Sequence, residues 1–334
     1  MNKKVLIISF SFEQEEEAFE ALREAGLEPI LLEEKDRTGY TQKDLIEYWD
    51  SLTEKPAGIL MGADIPLGEA FAEHAEGLLA ISLNCAGADH LDIGAFEKRG
   101  ITICNVPRQN FDAVADLIWG LILAVMRRIP EGDRNIRVGK WCDGVARGYA
   151  VSRKTLGIIS FGAIGQAVAK RAAGFDMKVL VSSTSERPKL AEKYGVTYVD
   201  RETLFREADI LVPACPLAPE TYHIINADTI ASMKQNAVIV NAARGGIIDT
   251  QALLEALREH RIAGAALDVF EEEPLYESEL FKLNNVVLTP HMGGLADREI
   301  HNVAMQSAYH MIKLLNQETT GTELTGKHPQ WNGD

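Results

Sequence analysis

The sequence predicts an α/β protein of two doubly wound, mostly parallel sheets, and three observations carry that prediction. Short apolar runs alternate with amphipathic stretches almost throughout, the alternation comes in two series, and one long apolar helix separates them. Alternating βα units place helices on both faces of a parallel sheet. In the first series Val5–Phe10 reads as a buried strand, and Glu13–Ala25 as an amphipathic helix stopped by Gly26. Short apolar runs follow at Pro29–Leu32, Gly58–Met61 and Leu78–Leu83, with helical stretches separating them. Ile101–Val106 is a further strand, ended by Pro107. Next comes the longest apolar helix, Phe111–Arg128, apolar on nearly every side and therefore buried on several, as an element wedged between domains or subunits would be. The second series runs TLGIIS, KVLVSS, VTYV, DILVPA, AVIVNAA, AGAALDVF and VVLT, from Thr155 to Thr289. Seven such runs make a complete doubly wound domain. A last helix spans Asp297–Leu315, and the polar stretch from Glu318 reads as a loosely held tail.

Composition narrows the function. With 334 residues the chain has length for about two domains, each able to bury a core without disulfides or metal. Lys and Arg total 34 against 49 Asp and Glu, so the net charge of -15 argues against nucleic acid and against an anionic membrane surface. The cysteines, Cys85, Cys104, Cys142 and Cys215, are widely spaced, which predicts buried thiols in a reducing compartment and no metal site. The apolar stretch at the start is too short for a signal peptide, and Leu117–Met126 is far too short to span a bilayer. A cytoplasmic protein is expected.

Chemistry enters at Ser160-Phe161-Gly162-Ala163-Ile164-Gly165, which follows the strand TLGIIS and opens a helix. A dinucleotide-binding turn sits in this position, where a helix N-terminus receives a pyrophosphate. The first glycine of that motif is replaced by Ser160, so a tight βα turn without a ligand is the competing reading. The next strand ends in Ser182, Ser183 and Thr184, with Arg187 close behind and no carboxylate at the tip. Hydroxyls and a nearby cation suit a 2′-phosphate, which favours NADP(H) over NAD(H). A plain polar loop is the alternative, and Glu186 is also in reach of a ribose.

Three later stretches, Val240-Asn-Ala-Ala-Arg244-Gly-Gly, Ala266-Leu-Asp268-Val-Phe-Glu-Glu-Glu273-Pro and Thr289-Pro-His291-Met-Gly-Gly, lie in order behind that turn. With GADHLD near Asp89 and NVP…AVAD over Val106–Asp116, the chain closely resembles the D-2-hydroxyacid dehydrogenase family along nearly its whole length. The resemblance implies two Rossmann-like domains, with a dinucleotide-binding domain over 106–298 inserted into a smaller substrate domain of 1–105 plus 299–334. It implies a catalytic trio of Arg244, Glu273 and His291, and a homodimer. The cofactor would lie against Phe161, Gly162, Ala163, Ile164, Ser182, Ser183, Thr184, Arg187, Cys215, Pro216, Thr221, Ala242, Ala243, Asp268 and Gly293, with Asp268 accepting from the nicotinamide amide. The substrate would meet Cys85, Ala86, Gly87, Arg244 and His291.

The chemistry of the trio follows from the residue types. A 2-keto acid needs a cation for its carboxylate, and Arg offers a planar fork. The oxygen becoming an alkoxide needs a proton, which His supplies near neutrality. A neighbouring Glu favours the imidazolium. Taken singly, each residue is better read as a surface ion pair, a solvated acid or a core histidine; taken together, in this order, they are not. Related formate dehydrogenases carry Gln where Glu273 stands, so formate is not the expected substrate. Pyruvate, glyoxylate and hydroxypyruvate are, giving the D-2-hydroxy acid; a phosphoglycerate dehydrogenase, or a nucleotide-sensing interaction protein resembling the C-terminal binding corepressors, is the alternative. Arg108 either attracts a phosphate or second carboxylate or is solvated.

Overall fold

The computed structural model describes residues 3–9, 12, 14–32, 40–63, 65–107 and 109–325. Phe10, Glu13, Arg108 and the tail beyond Thr325, on all of which sequence expectations fall, lie outside the described residues. The chain divides into two units, Met1–Asn110 with Leu295–Asp334, and Phe111–Gly294.

The first unit is built on a parallel sheet of β1 (Lys3–Ile8), β2 (Leu27–Leu31), β3 (Gly58–Met61), β4 (Ala80–Leu83) and β5 (Thr102–Cys104), in the order β2-β1-β3-β4-β5. The period of two in β1 divides its side chains between two cores. Leu6 and Ile8 join Trp49, Phe71 and Phe96 on one face, while Val5 and Ile7 join Phe12, Phe19 and Met311 on the other. The C-terminal helix Asp297–Leu315 closes that second core. It approaches β3 so tightly that a Cβ on Gly58 would lie 2.4 Å from the Met311 sulfur. Buried polar groups pin it there. Ser82 Oγ donates to the Ser307 carbonyl at 2.9 Å, and Ser307 Oγ donates to Asn84 Oδ1 at 3.2 Å.

The stretch after this helix is held, as far as it is described, contrary to the expected loose tail. Glu323 bridges Cys104 in antiparallel fashion, and Leu324 N donates to the Ile103 carbonyl at 2.8 Å, so backbone pairing at the open edge of β5 fixes it.

The second unit carries β6 (Thr155–Ile159), β7 (Lys178–Ser182), β8 (Val196–Tyr198), β9 (Ile210–Pro213), β10 (Val238–Asn241), β11 (Gly264–Leu267) and β12 (Val286–Leu288). They form one parallel sheet in the order β12-β11-β10-β9-β6-β7-β8. The order reverses at β6, between β7 and β9, and ligands bind outside the carboxyl ends of strands at such a switch point.

The apolar helix Phe111–Arg127 is buried within this unit. Ile118, Ile122 and Val125 join its core, Trp119 donates to the Val168 carbonyl at 3.1 Å, and its ring stacks on Phe175 at 4.7 Å. The helix stops at Arg128, which is left-handed (φ 57), and Pro130 lies in the first turn of a second helix, Ile129–Arg137. That second helix buries none of its residues. Among the cysteines, Cys104 and Cys215 are buried as expected, whereas Cys142 is exposed and Cys85 intermediate. Cys142 falls in the irregular stretch that follows the second helix, where loop backbone stays at the surface. No helix among the described residues is long and apolar enough to cross a membrane.

Candidate active site

The predicted site residues of the second unit gather at the carboxyl ends of its strands. At the end of β6 the chain must turn sharply into the helix Ala163–Ala172. Ser160 makes that turn with φ 75, the conformation that the missing glycine would adopt without steric cost. Its N–H donates to the Ser182 carbonyl at 2.7 Å, which ties the turn to the tip of β7. The two retained glycines each have a physical task. A Cβ on Gly162 would meet nothing within 4 Å, so the space before the helix is open to a ligand. A Cβ on Gly165 would lie 2.7 Å from the Ser160 carbonyl oxygen, so only glycine allows the helix to sit this close. These are the requirements of a pyrophosphate-binding turn, and the residues fit a dinucleotide.

Phe161 points away from that opening into the core, 3% exposed and edge-on to Tyr194 and Tyr198, which leaves its backbone to face a ligand. Ser182 and Ser183 are half-buried beside the turn, and Thr184 is exposed. Arg187 precedes the helix Pro188–Tyr194. After β9, Cys215 is buried, and burial pushes its thiol up to about 11, so it is inert near neutrality. Thr221 spends its hydroxyl closing the Pro216–Thr221 loop, donating to the Pro216 carbonyl at 2.7 Å and accepting from Ala218 N at 2.8 Å.

Arg244, Glu273 and His291 stand on loops after β10, β11 and β12. The first loop is shaped by Asn241, whose side chain accepts from Ala243 N at 3.0 Å and donates to the Arg244 carbonyl at 2.9 Å. This Asx-type turn fixes Ala242 and Ala243 and sets where Arg244 leaves the sheet. The Asn-Ala-Ala-Arg string carried that signal, and Asn241 was not singled out from it.

Glu273 and His291 meet. Glu273 Oε2 lies 2.7 Å from His291 Nδ1, while its Oε1 accepts from Phe270 N at 2.8 Å. The hydrogen bond to Glu273 holds the His291 imidazolium above the usual histidine range against the effect of burial; the Glu273 and Asp268 charges add to it and the Arg244 charge opposes it. Burial would raise the Glu273 carboxyl, yet the His291 hydrogen bond and charge, Phe270 N–H and Arg244 together keep it below the usual carboxylate range. Each partner therefore favours the charged form of the other. The imidazole remains 46% accessible, so its other ring nitrogen can serve a reacting oxygen.

Asp268 holds the histidine loop. It is fully buried; Oδ1 accepts from the Thr289 hydroxyl at 2.6 Å and Met292 N at 2.9 Å, and Oδ2 from Gly293 N at 2.9 Å. Its carbonyl accepts from His291 N at 2.8 Å, which stabilises the left-handed backbone of His291 (φ 49). Sequence reasoning singled out Asp268 but missed Thr289 as its partner.

In the first unit, Cys85, Ala86 and Gly87 form a turn just after β4. Cys85 Sγ donates to the Gly87 carbonyl at 3.1 Å, and Asn105 donates to the Ala86 carbonyl at 2.6 Å. No metal-ligating cluster occurs among the described residues.

Residues 119–293 match the family model for the NAD binding domain of the D-isomer specific 2-hydroxyacid dehydrogenases. The chain is 42% identical to a glyoxylate reductase of Thermococcus litoralis over 291 residues, 82% of this chain and 88% of that one. It is 40% identical to a D-3-phosphoglycerate dehydrogenase of Methanocaldococcus jannaschii over 280 residues, 83% of this chain but 51% of the relative. The apo-structure of D-lactate dehydrogenase from Escherichia coli superposes with a TM-score of 0.84 at 26% identity, covering 96% of this chain and 99% of that one.

Proposed function

Because the chain belongs to the D-isomer-specific 2-hydroxyacid dehydrogenase family, and is thus an NAD(P)-dependent oxidoreductase acting on 2-hydroxy acids, we propose that it reduces glyoxylate in preference to other small 2-keto acids and takes its hydride from NADPH. The 42% identity to a glyoxylate reductase supports the substrate, and the observation that carries the reduction chemistry is the 2.7 Å contact of His291 with Glu273, on a sheet whose first βα turn suits a pyrophosphate.

When bound, the nicotinamide supplies the hydride; the side chains manage charge and proton. Arg244 receives the substrate carboxylate through its guanidinium and polarises the adjacent carbonyl. His291 donates its proton to the oxygen as it gains charge, and Glu273 both orients the ring and keeps the imidazolium loaded. Asp268, through Thr289, Met292 and Gly293, fixes the loop on which His291 stands. Its buried carboxylate retains lone-pair capacity for a nicotinamide amide donor beside these three.

Steady-state reduction of glyoxylate, hydroxypyruvate, pyruvate and 3-phosphohydroxypyruvate with each cofactor tests the substrate. Glyoxylate should give the highest kcat/KM; a preference for the phosphorylated acid would overturn the reading, and no turnover of any would remove it.

For the cofactor, the hydroxyls of Ser182, Ser183 and Thr184 next to the Ser160 turn, with Arg187 behind them, suit a 2′-phosphate. Replacing Ser183 by Asp should move the preference to NADH by about tenfold or more, because the carboxylate accepts from a ribose hydroxyl and repels the phosphate. A wild type that already prefers NADH would refute the strand-tip argument and turn attention to Glu186.

Exposed Ile129 (54%), Ile136 (56%), Val138 (69%) and Trp141 (75%) support a homodimer that covers this face, and a monomeric mass in sedimentation would exclude it. The low-cysteine, acidic composition fits a cytoplasmic enzyme, a placement that fractionation of the source cells would check.

A further inference from the structure

Another histidine–glutamate contact involves Glu271, two residues before Glu273 along the chain. Glu271 Oε2 is 3.1 Å from His223 Nε2, and Glu271 Oε1 accepts from Thr250 N at 2.8 Å. We infer that His223 and Glu271 form a positioning clamp that holds the Phe270–Glu273 loop in the one arrangement that presents Glu273 to His291. The inference rests on the reading of Glu273 and His291 as the acid–base pair.

The loop is gripped from three sides. Behind it stands Gly245, where a Cβ would lie 1.9 Å from both the carbonyl carbon and the oxygen of Phe270, so the Arg244 loop and the Glu273 loop touch backbone to backbone. Within it, Phe270 N–H holds Glu273 Oε1. Across it, Glu271 reaches Thr250 at the start of the helix Thr250–Arg258, and His223 on the segment after β9. His223 is itself fixed. Its N–H donates to the Gly246 carbonyl at 2.9 Å, its backbone is left-handed (φ 48), and its ring stacks on Tyr222 at 3.9 Å.

The histidines that meet Glu271 and Glu273 thus divide the labour. His291 is placed to meet a substrate, while the His223 nitrogen is occupied by Glu271, with 28% of its side chain accessible. A carboxylate held at the first turn of a helix and against an imidazole is firmly placed, and burial has not neutralised it: Thr250 and His223 keep the Glu271 carboxyl below the usual range despite desolvation. Released from the clamp, the loop would still carry Glu273 but would no longer hold it at 2.7 Å from His291. Losing that contact removes the largest influence that raises the His291 imidazole; the Asp268 and Arg244 charges stay on either side of the balance.

The test uses His223→Ala, His223→Gln and Glu271→Ala in the full chain. Two readouts are taken, the pH profile of reductive kcat/KM and the NMR titration of the His291 imidazole. His223→Ala should lower kcat/KM by about three- to tenfold and move both the activity limb and the His291 titration to lower pH by roughly half a unit or more. His223→Gln, whose amide N–H can still donate to Glu271, should restore both. If His223→Ala does not fold, Glu271→Ala, which removes the contacts to both Thr250 and His223, should move the titration in the same direction. An unmoved His291 titration in the folded variants overturns the clamp, as does failure of the Gln rescue. A wild type that reduces no keto acid removes the proposed function instead, because the His291 titration is read without substrate.

Discussion

Replacing Arg244 by alanine is expected to lower the kcat/KM for glyoxylate about a thousandfold, with melting temperature and dinucleotide affinity close to those of the wild type. Truncating one partner of a desolvated charged contact costs about 2–5 kcal/mol, and each factor of ten in rate is about 1.4 kcal/mol. Arg244 would lose two tasks in one change, holding the carboxylate and polarising the carbonyl. Lysine should not rescue it, since an ammonium cannot present the planar fork. The charge of Arg244 also opposes the imidazolium of His291. The residual activity of Arg244→Ala should therefore persist to higher pH than that of the wild type, a direction no general loss of structure would produce. A fall of only a few-fold would remove Arg244 from the proposed role.

The alternation of apolar runs and amphipathic helices was enough to place the strands, because a strand buried on both faces must be apolar along its whole length. Gly58–Met61 and Gly264–Leu267, every residue of which is buried, are the plainest cases. Features set by single backbone angles were less legible. Nothing in the composition of the apolar helix shows that it ends with Arg128 left-handed, or that a second helix begins at Ile129. Ser160 is the instructive residue: its replacement of a glycine looked like a broken motif, yet its φ of 75 shows the turn kept its shape with a serine in the conformation glycine favours.

The site was legible as ordered motifs and not as isolated residues. Glu271 and Glu273 stand in one acidic run; the motif before Pro274 points to Glu273 as the partner of His291, and only the fold shows that Thr250 and His223 take Glu271. Asp268 likewise reads as a ligand acceptor from the motif alone. Its three donors, all from the loop that carries His291, become visible only once β11 and β12 are paired.

His291→Asn is expected to lower reductive kcat/KM by about a hundred- to ten-thousandfold, the usual contribution of a positioned general acid, and to erase the pH dependence that Glu273 sets. In the wild type the sign is fixed by the direction of the shifts. The folded protein holds His291 above its ordinary value and Glu273 below its own, so the imidazolium persists to higher pH than in a free histidine. Reduction needs the imidazolium; kcat/KM should be highest below the raised value and fall as pH rises through it. Oxidation needs the neutral ring and should rise over the same range. Glu273→Gln keeps the side chain's shape but removes its charge, so the reductive limb should move to lower pH. Asp268 continues to favour the imidazolium in that variant and Arg244 to oppose it, so the movement measures Glu273 and not the whole site. The quantity to follow is kcat/KM, since product release can mask the chemical step in kcat. A limb that stays in place or moves to higher pH in Glu273→Gln would break the pairing, and a pH limb surviving in His291→Asn would assign the proton to another group.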